Sequence, residues 1–116
     1  MDISDREIFS HLAIFPPIFV RLDGRAFHRL ARVLELTRPF DPQFHAAMRS
    51  VCRYLLTGSG FTPLFAYTFS DEISLYFSTL PFSGRVEKID SVAAASAASA
   101  LTIELGCREP LAFDAR

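Results

Sequence analysis

Two apolar runs, TPLFAYTF (62–69) and ISLYFS (73–78), are separated only by Ser70-Asp71-Glu72. Nothing else in the chain leaves the backbone so little freedom. Two segments rich in β-branched and aromatic residues, joined by so short a link, must fold back on each other as an antiparallel hairpin. The second run alternates, with Ile73, Leu75 and Phe77 on one side and Ser74, Tyr76 and Ser78 on the other. That is the period of a strand with one buried face. In the first run, Tyr67 and Phe69 read as core.

The remaining segments build around this hairpin. PPIFVRL (16–22) reads as a buried strand ending at Asp23. Phe40-Asp41-Pro42 opens a helix: Asp41 can cap, Pro42 suits the first helical position, and Phe44, Met48, Val51 and Leu55 follow at helical spacing. Gly58-Ser59-Gly60 ends it. After Pro81-Phe82-Ser83-Gly84 a second helix is expected from about Arg85 to Leu105, with Gly106 and Pro110 as its stop. Its alanines and serines allow close approach to a sheet. LAFDAR (111–116) begins a last strand. The order is β-α-β-β-α-β, a ferredoxin-like α+β fold in one domain, residues 1–116. It predicts an antiparallel sheet with two helices on one face. The final strand has barely begun, so one edge is expected to be ragged and open to pairing with another chain.

Composition narrows the function. With 12 basic and 13 acidic residues the formal net charge is -1, which excludes a global basic field for nucleic acid and leaves only a local patch. Cys52 and Cys107 have no metal spacing and are expected as free thiols in a reducing compartment. The start MDISDREIF is acidic where a signal peptide is basic, and VAAASAASALTIEL (92–105) is too short and serine-rich to span a bilayer. A soluble, cytoplasmic protein is expected.

In a ferredoxin-like fold the first and second strands run parallel and the third returns between them. The end of the first strand and the tip of the hairpin then share one rim. Asp23 falls at the first place, Asp71 and Glu72 at the second. Clustered carboxylates repel one another, and a cation offsets that repulsion. Magnesium, a hard ion that takes oxygen ligands and substrate phosphates, suits them. Arg85 and Lys88 lie three apart in the first turn of the second expected helix, where backbone N–H groups also favour phosphate. Taken singly, Asp23-Gly24 reads first as a plain turn, Asp71-Glu72 as a solvated hairpin tip, and Arg85 with Lys88 as a solvated helix face; only together do they point to a metal and phosphate site. Asp90 reads as an ordinary surface acid.

RLDGRAFHRL (21–30), AYTFSDEISLYF (66–77) and FSGRVEKIDSVAAASAAS (82–99), with FDPQFHAAM (40–48) and FDAR (113–116), resemble the tRNA-His guanylyltransferase family and its archaeal-type relatives. The likeness covers about residues 16 to 116, the N-terminal catalytic half of that family. It implies a palm-like domain that extends RNA in the 3′-to-5′ direction, adding guanosine or repairing nucleotides at the 5′ end of tRNA after activation by ATP or GTP. Carried over by residue, it implies two magnesium ions on Asp23 and Asp71 with the Gly24 carbonyl assisting, and Glu72 as a supporting carboxylate. Arg25, Ala26, Phe27 and His28 would wrap the incoming nucleotide, with Phe27 and His28 against base or sugar. Ser70 would line the pocket, and Arg85 and Lys88 would meet triphosphate oxygens. His11 and His45 read as surface or packing residues.

Three departures follow. Gly84 stands where some relatives carry a basic residue. Thr68-Phe69 replaces the Gly-Gln of eukaryotic members, pointing to the archaeal or bacterial type. Family members also continue well past FDAR, with parts that contribute to the activating-nucleotide pocket, tRNA contacts and oligomerisation. The competing class is a non-catalytic nucleotide- or RNA-binding module of the same topology. No RNP motif of an RNA-recognition domain is present, and a pure binder has no need of Asp23 and Asp71 together.

Overall fold

Burial alternates residue by residue along the strands, and that alternation organises the molecule. In the computed structural model, which describes residues 8–9, 11–36 and 41–116, β1 (Ile18–Gly24) buries Val20 and Leu22 and turns Phe19, Arg21 and Asp23 outward. β3 (Glu72–Phe77) buries Ile73, Leu75 and Phe77. β2 (Phe65–Phe69) and the three-residue β4 (Phe113–Ala115) complete an antiparallel sheet of order β2-β3-β1-β4. This is the ferredoxin-like order, with β3 between β2 and β1. The acidic segment MDISDRE and the helix signal at Phe40 lie outside the described residues.

Among the described residues, three α-helices carry the apolar cover. α1 (Phe27–Val33) follows β1, α2 (Pro42–Thr57) crosses to the hairpin, and α3 (Val86–Leu105) returns to β4. Asp41 caps α2 as its sequence predicts: the Phe44 N–H donates to Asp41 Oδ1 at 2.9 Å, with Pro42 in the first turn. α2 buries Ala47, Met48, Val51, Cys52 and Leu55, and α3 buries Ile89, Ala93, Ala97, Leu101 and Leu105. Full burial of a Val, Leu, Ile or Phe side chain contributes roughly 1.5–3 kcal/mol, so the shared core of strands and helices holds these elements in register.

The structure differs from the sequence reading in two respects and gives a physical reason for a third feature. α1 was not expected. It has no side-chain cap, and Ala26 precedes it in a left-handed conformation, φ 57°. Only Phe27 and Leu30 of α1 are buried, too few to give a helical period. Tyr67 and Phe69, expected in the core, are 62% and 57% exposed. In β2 the inward positions belong to Ala66 and Thr68, which are small enough for α2 to pack close, so the aromatic side chains take the outer face. Finally, Gly84 cannot be exchanged for a basic residue on this backbone. Its φ is 75° and an added Cβ would sit 2.8 Å from the Ile14 carbonyl oxygen.

Candidate functional site

The sheet has one covered face and one open face. Because directly opposed residues of antiparallel strands point to the same side, the register lays the open face out in rows. Asp23 pairs with Glu72 on β3 and with Asp114 on β4, and Glu72 pairs with Phe69 on β2. This is the acidic rim. Two residues further in, Arg21 lies opposite Ser74, which lies opposite Tyr67. Arg21 also exchanges both backbone hydrogen bonds with Arg116, at 2.7 and 2.9 Å. A third row, Phe19–Tyr76–Phe65, is entirely aromatic.

The hairpin tip is tied to the end of β1. Ser70 and Asp71 form the two-residue turn, and Ser70 takes the positive φ, 55°, that tight hairpin turns demand. The Gly24 N–H donates to the Asp71 carbonyl at 3.0 Å, and the Arg25 N–H to the Ala112 carbonyl at 2.9 Å. Asp23, Gly24, Ser70, Asp71 and Glu72 therefore share one rim. Gly24 is held there by packing: an added Cβ would lie 2.8 Å from the Phe27 ring.

Like charges directly opposed across strands are destabilising, and the guanidiniums of the second row offset them diagonally. Arg116 Nη2 lies 2.7 Å from Asp23 Oδ2, and Arg21 Nη2 lies 3.2 Å from Glu72 Oε2. Asp23 is the more enclosed of the two acids, its side chain 20% exposed against 45% for Glu72. Among the described residues, no group of three or more His, Cys, Asp or Glu side chains is gathered closely enough to hold a metal. The donor set at the rim is nonetheless all oxygen, two aspartates and a backbone carbonyl, which is the chemistry a hard divalent cation takes.

Other expected residues fall elsewhere. Phe27, expected against a base or sugar, is a core ring: it is 9% exposed and packs edge-on to Phe44 and Phe113, with ring centroids 5.8 and 5.4 Å away. An apolar ring at the first position of α1 gains more from that cavity than from solvent. Arg25, Ala26 and His28 are exposed where the chain turns from β1 into α1. Arg85 and Lys88 are not brought to the rim. β3 runs away from it, and α3 begins beyond the far end, where Arg85 bridges to Ala13 ahead of β1. Six residues of strand put them on the order of 20 Å from Asp71. Lys88 Nζ sits 4.9 Å over the Phe82 ring. Conversely, Arg21, Asp114 and Arg116 join the rim unforeseen. FDAR places Asp114 and Arg116 on one face by alternation, but only the β1–β4 register shows that this face is Asp23's.

A four-stranded antiparallel sheet with helices on one face and an acidic rim beside the open one defines the palm class of α+β domains. The family model described as tRNAHis guanylyltransferase matches residues 4–116, and the chain belongs to that family. Among solved structures, it is similar to a bacterial tRNA(His) guanylyltransferase (Thg1)-like protein in complex with GTP. The identity is 27% and the TM-score 0.79, over 90% of this chain and 50% of that one. The same description in complex with ATP matches at 26% identity and TM-score 0.79, over 90% and 51%. tRNA(His) guanylyltransferase from Saccharomyces cerevisiae shares the fold at 22% identity and TM-score 0.84, over 97% and 55%. No match was found among curated proteins. The chain spans about half the length of the solved structures it matches. Among the described residues, no helix is long and apolar enough to cross a membrane.

Proposed function

We propose that this chain is the nucleotide-transfer palm of a magnesium-dependent enzyme that adds guanosine, or restores missing nucleotides, at the 5′ end of a tRNA in the 3′–5′ direction. The observation that carries the proposal is the joining of Asp23 and Asp71 at one rim by the Gly24-to-Asp71 backbone hydrogen bond, in a chain of this family. Solved relatives in complex with GTP and ATP support the nucleotide. Asp23, Asp71 and the Gly24 carbonyl would hold the magnesium ions, with Glu72 supporting. Bound there, magnesium would supply charge neutralisation for phosphate oxygens and ease deprotonation of a hydroxyl.

The chain's own residues position and exclude. Phosphoryl transfer needs little covalent chemistry from protein and much alignment. In the proposed sequence, the tRNA 5′-phosphate is first activated by ATP or GTP with loss of pyrophosphate. The 3′-hydroxyl of the incoming nucleotide then attacks that phosphorus, and the activating nucleoside monophosphate leaves. The turn from Asp23 to His28, with Ser70 opposite, frames the incoming nucleotide through backbone and exposed side chains, while Phe27 braces Gly24 from beneath. Arg85 and Lys88 would serve phosphate only at the far end of the sheet.

The arginine pairing of Asp23 and Glu72 favours one second reading, a nucleotide- or RNA-binding palm without catalysis. Labelled GMP incorporation into tRNA lacking its 5′ nucleotide, alongside GTP titration with and without magnesium in wild type and Asp71→Ala, separates the two. Incorporation lost in Asp71→Ala supports the enzyme. Magnesium-independent GTP binding without incorporation supports the binder, and GTP affinity equal in every arm sinks the metal site.

A further inference from the structure

A chain with a formal net charge of -1 can meet a polyanion only through a local patch, and α1 and α2 supply one. From Gly24 to Ser70 the sequence carries six arginines, no lysine and two acids, Glu35 and Asp41. The rest of the chain carries six basic residues and eleven acids. Neither α1 nor α2 contains an acid, and Asp41 is engaged in capping α2. On α2, His45, Arg49 and Arg53 follow one another a turn apart on the exposed side, while Met48, Val51 and Leu55 are buried. On α1, Arg29 and Arg32 are exposed while Phe27 and Leu30 are buried. Arg29 pairs with Glu109 at 3.3 Å and stays 68% exposed. Among the described residues, Arg32, Arg49 and Arg53 form no ion pair.

The two helices meet at the rim end of the sheet, where the Phe27 and Phe44 rings pack at 5.8 Å. From there α2 runs toward the far end, where β2 begins. His45 to Arg53 spans about 12 Å of helix. The basic track therefore starts beside the acidic rim and leads away from it over the helix layer, on the side opposite the rim carboxylates.

The make-up of the face selects its partner. A basic helix held on a membrane sinks its apolar side into the lipid, but here those sides form the core. A stable protein interface is built around a central apolar or aromatic cluster. The large apolar side chains exposed on α1 and α2 are Val33 and Tyr54, one on each helix. What remains is charge alone, carried by guanidiniums whose planar forks match phosphate oxygens. A surface of that kind gains affinity by releasing counterions from a regular array of phosphates.

We propose that the outer face of α1 and α2 binds the phosphate backbone of RNA through Arg29, Arg32, Arg49 and Arg53, without reading its sequence. This rests on the proposed function for the identity of the RNA, a tRNA whose 5′ end reaches the rim, but is tested apart from it.

The test is fluorescence anisotropy of short, labelled, blunt RNA duplexes of two unrelated sequences, titrated at several salt concentrations without GTP or magnesium. Three or four phosphate contacts give a slope of log affinity on log salt near -3, a loss of roughly 50-fold between about 50 and about 200 mM salt. Arg49→Ala and Arg53→Ala should each reduce the magnitude of that slope by about 1, equally for both sequences. Arg49→Lys should retain the slope, because it keeps the charge. A salt slope unchanged in Arg49→Ala/Arg53→Ala, or no duplex binding at the lowest salt, overturns the proposal. So does binding of polyglutamate, or of vesicles containing phosphatidylserine, that is as tight as duplex binding and depends on the same arginines. Asp71→Ala should bind the duplexes as wild type does. A failed transfer assay with these slopes intact refutes the palm reading alone, and unmoved slopes refute the RNA surface alone.

Discussion

Arg116 Nη2 stands 2.7 Å from Asp23 Oδ2, so the chain supplies its own cation to an acid of the rim that is more enclosed than Glu72. A divalent ion reaching Asp23 has to compete with that guanidinium. Arg116 is largely exposed, and exposed pairs are worth about 0.2–1 kcal/mol. Arg116→Ala should therefore leave thermal stability within about 1 kcal/mol and lower the magnesium concentration for half-maximal GTP binding by up to about fivefold. Asp23→Asn should abolish the magnesium response. Calorimetric titration of magnesium at fixed GTP checks both, and an unchanged or raised half-saturation in Arg116→Ala would show that the arginine does not compete.

Gly24 and Phe27 should behave as one unit. Gly24→Ala drives a Cβ to within 2.8 Å of the Phe27 ring, and overpacking of this kind costs about 1–3 kcal/mol. The melting temperature should fall by roughly 4 °C per kcal/mol. In the Phe27→Leu background the same change should cost measurably less, because residues in contact are not additive. A full thermal double-mutant cycle with additive losses would refute the coupling.

α3 lies close to the sheet on its alanines. Ala97 is fully buried, so Ala97→Leu should destabilise by about 1–3 kcal/mol or more, whereas Ser99→Leu, at an exposed position of the same helix, should stay within about 0.5 kcal/mol. Chemical denaturation of the two variants reads the difference directly.

The two free thiols should separate by reactivity. Burial pushes the Cys52 thiol up from 9.0 to about 11, so native protein at pH 8 should alkylate at the half-buried Cys107 and spare Cys52. The same shift fixes the sign of a pH effect. The unfolded chain ionises Cys52 first, so its contribution to stability is full below about pH 9 and is lost as pH rises to about 11. Wild type should lose stability across that window relative to Cys52→Ala. Parallel melting curves for the two proteins from pH 8 to 11 would contradict the assignment.

Local signals made much of the fold legible. The three-residue link specifies the hairpin, Asp41-Pro42 the start of α2, and the order of elements alone puts Asp23 and Asp71 at one end of the sheet. What stayed hidden depends on packing between elements. Tyr67 and Phe69 look like core residues, but α2 packs on Ala66 and Thr68, and an alternating strand cannot bury both sets. Phe27 sits beside acid and glycine in a motif that suggests solvent, yet its ring fills the space between Phe44 and Phe113. Arg85 and Lys88 share a helix turn, which says nothing about the end of the sheet that turn occupies. Arg116 becomes Asp23's partner only through a register that the sequence does not state.

The alternation along β1 has a consequence for how such a domain can change over time. Val20 and Leu22 answer to the core, while Phe19, Arg21 and Asp23 answer to whatever meets the open face. The two sets interleave in sequence but share no neighbours across the sheet, so substitutions in one are nearly silent in the other. A lineage can thus rewrite its ligand surface one outward residue at a time without renegotiating the fold, provided the Ser70-Asp71 turn never slips by a single residue and trades one set for the other.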